Sequence, residues 1–186
     1  MSAEPIRLET PLRLEDIEPL KSGDVVRLYG VLYTARDAAH ARMKEAVDTE
    51  EPLPFDPDGQ VVYFTGPAPA LPGSALGPAG PTTASRMDPY SPALIERGLR
   101  GMVGKGARSE EVQRVMREHG CVYFGAVEGT AALLAECVKE AEVVAYEDLG
   151  AEAVRRLVVE EFPVVAINDV HGGDLYREGR ERWRRG

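Results

Sequence analysis

Two continuous apolar runs constrain this chain most. "QVVYFTGPAP" (60–69) is a buried-looking strand that ends in a glycine–proline turn, and "CVYFGAV" (121–127) is a second unbroken β run. Helical patterns follow several of the β runs, so strands and helices are mixed along the chain. An α/β fold, with helices layered on a sheet, is the arrangement that buries both kinds of element.

The remaining elements read as follows. "IRLETPL" alternates as a short strand, Gly23 and Asp24 form a turn, and Val25 to Thr34 is rich in β formers. Asp37 can cap a helix over "DAAHARMKEAV", and "DTEEPLPFDPDG" is a proline-broken loop. Asp88 followed by Pro89 predicts a helix start, continuing through "YSPALIERG" to Gly98. "LRGMVGKG" reads as a short strand and turn, and Ser109 and Gly120 bracket the helix "EEVQRVMREHG". "TAALLAECVKEA" reads as a helix, and "EVVAYEDL", "VRRLVVEEF" and "VVAIND" as three further β segments. There is no internal repeat, and the pattern does not fix a topology.

The 186 residues fit one domain, 1–186, whose last ten residues (177–186) form a basic C-terminal tail with five arginines. The net charge of −9 argues against nucleic acid as a partner, since neutralising phosphates needs a basic face. Two cysteines, Cys121 and Cys137, are too few for a disulfide framework and suit a reducing cytoplasm. Both read as core residues. The first residues do not read as a secretory signal, and no run approaches the roughly 18 apolar residues of a membrane span. The expectation is a soluble cytoplasmic domain with no membrane partner.

The chemistry concentrates around "GPAGPTTASRMDPYS" (77–91), a segment too rich in turn formers for a core element. Arg36 follows the β run "VLYTA", Arg86 follows "GPTTAS", and Lys105 lies within "VGKG". Loops at strand ends are where α/β proteins place ligands, and arginine and lysine there suit a small anion. Spacing alone leaves a second reading open, in which these are three solvated members of a set of 22 basic residues. No phosphate-loop spacing is present, and proline removes donors that a phosphate cradle would use, which sets nucleotide binding aside. Thr82 and Thr83 stand at the mouth of the helix expected near Asp88, where a threonine can carry a proton only beside stabilising cations. His40, four residues after Arg36, could face the same site, whereas His119 suits a helix C-terminus. No ligand cluster has metal spacing, so no metal residue is expected on this chain.

Together, "YTARDAAHARM", "VYFTGPAP", "GPAGPTTASRMDPYSPALIERG", "GMVGKG" and "CVYFGAVEGTAALLA" resemble the β subunit of class I fumarate hydratases and L(+)-tartrate dehydratases, which is also the C-terminal domain of one-chain class I enzymes. The resemblance spans about 5–176 and implies a swivelling β/β/α domain, with mixed sheets and helices packed on them. The implied reaction is reversible hydration of fumarate to L-malate, with tartrate dehydration as the alternative. A non-catalytic anion-binding module on the same scaffold is the alternative of another class.

By position, the resemblance makes Thr82 the catalytic threonine and Thr83 a substrate contact. Arg36, Arg86 and Lys105 become the cations that bind the C4 dicarboxylate. It also implies an iron–sulfur, four-iron four-sulfur (4Fe-4S) cluster held by cysteines of a partner α subunit, as Lewis acid for the carboxylate and departing hydroxyl. The implied assembly is α2β2, and this chain alone would be inactive.

Overall fold

The computed structural model describes residues 4–127 and 129–184. Seven strands form one mixed sheet: β1 (Ile6–Glu9), β2 (Val25–Thr34), β3 (Val61–Tyr63), β4 (Gly101–Gly104), β5 (Val122–Gly125), β6 (Val138–Ala145) and β7 (Val154–Asn168). β2, β3, β4 and β5 lie parallel in that order. β7 runs antiparallel and pairs with both β5 and β2, so these five strands close on themselves. β1 adds to β2 and β6 adds to β7.

Among the described residues there are six α-helices: α1 (Leu14–Ile17), α2 (Asp37–Asp48), α3 (Ser91–Ile95), α4 (Glu110–His119), α5 (Ala131–Glu136) and α6 (Leu175–Trp183). The continuous apolar runs are explained by burial on both faces. Val61, Tyr63, Val103, Val122 and Phe124 pack inward with Leu28, Leu32, Leu157 and Phe162 of β2 and β7. Val62, Phe64, Met102 and Tyr123 face the other way, against Met43 of α2, Leu94 and Ile95 of α3, and Val112 and Met116 of α4. Each such side chain contributes about 1.5–3 kcal/mol when fully buried, so this two-sided core dominates the fold. The mixed α/β expectation holds in that form.

Several local expectations change. Ser109 caps α4, accepting from the Val112 N–H, and Gly120 ends it at φ 70° as anticipated. Asp88 does not start a helix: a 3₁₀ turn, Ala84–Met87, precedes it and α3 begins at Ser91. The reason is that the Asp88 carboxylate is engaged elsewhere, by Arg108 and the Ser109 N–H. α5 stops at Glu136, because the next residues pair with β7 as β6; Cys137 is half-buried at the junction rather than in the core. "EVVAYEDL" leaves the sheet after Ala145 and turns into a 3₁₀ segment, Glu147–Glu152. The two β segments read around Pro163 are one strand, β7, kinked where Glu161 takes a positive φ of 55°. Residues 177–183 of the basic tail belong to α6, whose N-cap Asp174 accepts from the Tyr176 and Arg177 N–H groups.

Candidate active site

The parallel strands β2, β3 and β4 deliver their carboxyl ends to one edge, where Arg36, Gly66 and Lys105 follow. The "GPAGPTT" loop is drawn across that edge. A Cβ on Gly77 would sit 2.2 Å from the Ala68 carbonyl oxygen, so only glycine permits this close crossing of the two glycine–proline loops. The loop then docks on β3 and the Lys105 segment: the Thr82 N–H donates to the Phe64 carbonyl at 2.6 Å, and the Lys105 N–H donates to the Thr82 carbonyl at 3.2 Å. The Ala84 N–H returns a bond to the Lys105 carbonyl at 2.8 Å, and Thr83 and Lys105 form a parallel bridge. Both threonines are thereby fixed by backbone bonds, which leaves their side chains out of the structural role.

Thr83 and Lys105 line one groove of about 500 Å³ with Gly106, Gly125, Val127 and Tyr176. Arg36, Thr82 and Arg86 are not part of its lining. The two arginines are gathered instead by a residue that the sequence suggested only as a cap. The Asp37 carboxylate accepts from Arg86 Nε at 2.7 Å and lies 3.7 Å from Arg36 Nε. Arg36 also lies 3.5 Å from Glu152, whose other oxygen accepts from the Ala38 N–H at 3.0 Å. Arg86 is half exposed and Arg36 about a quarter exposed, so both reach the surface.

His40 does not face this site. It is buried under α2, edge-on to Phe64 with ring centroids 5.3 Å apart, and its Nδ1 lies 3.0 Å from the Arg36 carbonyl. That carbonyl can only accept, so Nδ1 carries the proton. Burial pushes the imidazole down to about 4, reinforced by the Arg108 charge and opposed by the bond to Arg36 and the Asp37 charge. His119 sits in the last turn of α4 as expected.

The sequence suggested Asp88 only as a helix start and did not single out Arg108. The Arg108 side chain is fully buried, with Nε 2.8 Å from Asp88 Oδ1 and Nη2 donating to Ser91 Oγ at 2.6 Å. Its guanidinium also lies over the Phe64 and Tyr123 rings, at 5.2 and 5.5 Å. Burial lowers its pKa and the Asp88 charge opposes that, yet arginine stays protonated. No pattern in "GARS" could reveal this, because a basic residue beside a helix cap is ordinarily solvated.

Among the described residues no group of three or more His, Cys, Asp or Glu is placed to hold a metal. Cys121 is buried, with its thiol pushed up to about 12 chiefly by burial, and Cys137 sits apart at the end of α5. The donors among the described residues, with two separated cysteines, therefore do not fit an iron–sulfur cluster. No helix is long and apolar enough to cross a membrane among the described residues.

These features define an α/β domain that presents threonines and cations on an open strand edge. The chain belongs to the family described as Fumarase C-terminus, whose profile matches residues 1–179. It is 41% identical over 156 residues to "Fumarate hydratase 2" of Leishmania major, covering 83% of this chain and 28% of that protein. It is 40% identical over 153 residues to "Fumarate hydratase class I, aerobic" of Escherichia coli, covering 81% of this chain and again 28% of the relative. Against the "Putative L(+)-tartrate dehydratase subunit beta" of Methanocaldococcus jannaschii, identity is 37% over 173 residues, or 90% and 89% of the two chains. The chain thus spans under a third of the two fumarate hydratases and nearly all of the tartrate dehydratase relative.

Proposed function

We propose that this chain is the β half of an iron–sulfur-dependent hydro-lyase that interconverts fumarate and L-malate, active with an α subunit in an α2β2 assembly. The observation that carries the reading is the backbone lock between Thr82, Ala84 and Lys105 at the carboxyl ends of the parallel strands. It sets a threonine pair beside a lysine, on the segment that also carries Arg86. The cluster in this reading belongs to the α half, since the cysteines and carboxylates here do not fit it.

The roles follow from the chemistry. The hydrogen removed from L-malate lies next to a carboxylate and is weakly acidic, so its loss needs stabilisation of the extra charge. Arg36 and Arg86 grip a carboxylate through paired N–H donors, Lys105 adds a point charge, and Thr83 hydrogen-bonds the substrate. Thr82 takes the proton, its deprotonated oxygen stabilised by those cations. Asp37 gathers the two arginines, accepting from Arg86 Nε and lying beside Arg36 Nε.

A tartrate dehydratase β subunit is the second reading, favoured by the near-complete coverage of the relative so named. The test is anaerobic co-expression with a cysteine-bearing α subunit, assayed with fumarate, L-malate and L(+)-tartrate. Malate–fumarate exchange, absent from this chain alone, is expected. Turnover of tartrate alone would move the specificity, and a cluster-loaded complex inert to all three would leave a non-catalytic anion-binding module.

A further inference from the structure

The site is assembled from two segments that are separate in sequence. One, from Thr82 through the 3₁₀ turn Ala84–Met87, carries the threonines and Arg86; the other, from Gly104 to the start of α4, carries Lys105. Their backbone bonds lie at one end, around Lys105. At the other end the segments are joined by charge. Asp88, directly after the 3₁₀ turn, has one carboxylate oxygen 2.8 Å from Arg108 Nε and takes the Ser109 N–H on the other at 2.9 Å. Arg108 Nη2 then reaches forward to Ser91, at the start of α3.

A fully buried guanidinium carries a large desolvation cost, and an apolar side chain of similar volume often fills such a site as well or better. What it provides is a fixed distance and direction. The loop is held from further sides: Tyr123 donates to the Gly106 carbonyl at 3.0 Å, and Gln113 donates to the Arg108 carbonyl at 3.1 Å.

We propose that Arg108, acting through Asp88, is a positioning residue that sets the separation between Lys105 and the Thr82–Arg86 segment, and hence the fit of the dicarboxylate. The assignment rests on the hydro-lyase reading, and Arg108 itself touches no substrate. Arg108→Lys keeps the charge but loses the fork that reaches Asp88 and Ser91 together. Asp88→Asn keeps the shape and removes the ion pair.

Two measurements on both variants separate this proposal from the reading beneath it. Amide hydrogen exchange on the chain alone is expected to rise together in 82–88 and 105–109, and by more there than in α2 and β7. In the reconstituted complex, kcat/KM for L-malate is expected to fall about a hundredfold, the scale of a small misplacement of binding groups. Cluster content should be unchanged, and Arg108→Lys should retain more activity than Arg108→Met. Unchanged exchange in the two segments, or a kinetic loss matched by a general loss of folded protein, would overturn the positioning role. A wild-type complex without activity on the three acids, but with the exchange effect intact, would overturn the functional reading and reduce the pair to scaffold.

Discussion

Lowering the pH should destabilise this domain through one residue. His40 is buried and neutral, and binds a proton in the folded state only near pH 4, against 6.5 for an unperturbed imidazole. Above about pH 6.5 neither folded nor unfolded chain protonates it, so its neutral packing contributes fully. Below that, the unfolded chain binds a proton that the folded one refuses, and stability falls until the folded form also protonates. At about 1.4 kcal/mol per pH unit, the interval from 6.5 to about 4 amounts to roughly 3 kcal/mol, of which about 2 kcal/mol is lost by pH 5. The control is His40→Asn, which keeps an N–H donor near the Nδ1 position and cannot titrate. The Arg36 carbonyl is not orphaned by the change, because it also accepts the His40 backbone N–H at 2.8 Å. Urea unfolding of both proteins at several pH values between about 7 and 4.5 reads the difference. The variant should be less stable at neutral pH and lose the pH-dependent component. Parallel curves for the two proteins would refute the assignment of a neutral buried imidazole.

Thr82→Ala should lower kcat in the reconstituted enzyme by about 10²–10⁴, the range of a positioned proton carrier, with KM and thermal midpoint nearly unchanged because the backbone alone holds this residue. Wild-type turnover in that variant would remove the proton-transfer role. Asp37→Asn releases the carboxylate that gathers Arg36 and Arg86, so KM for L-malate should rise more than kcat falls; equal effects on both would place Asp37 outside substrate binding. Gly104→Ala puts a Cβ 2.8 Å from Phe64 Cδ2 and 3.3 Å from the Thr82 carbonyl, so it should cost about 1–3 kcal/mol in urea unfolding and lower activity as well.

The parts of this fold that were legible are those governed by local chemistry. β2 coincides with the β-rich run Val25–Thr34, and α4 lies between the serine and glycine that bracket it. The errors arose where tertiary pairing overrode local preference. Residues 138–141 continue a helical pattern from α5, yet their backbone groups are needed by β7, the strand that closes the sheet. Pro163 looked like a break between strands, but β7 absorbs it close to the irregular turn at Glu161. Closure of five strands is not encoded in any one window, because it depends on a strand pairing with one partner 121 positions away in sequence and another 45 away, as Thr34 with Arg155 and Tyr123 with Asn168 illustrate.

The site divides in the same way. Thr82, Thr83, Arg86 and Lys105 could be selected because turn formers, a helix start and a family motif coincide on them. Their partners Asp37, Asp88 and Arg108 carry no such mark, the two aspartates reading only as helix-start residues. Their roles arise from pairs 49 and 20 residues apart, Arg86 with Asp37 and Arg108 with Asp88, and a carboxylate that caps a helix reads identically to one that binds arginine. Arg86 is half exposed, so its bond to Asp37 is screened by solvent and can be disturbed with little loss of stability, whereas the Arg108 pair cannot, since removing either partner strands a charge in the core.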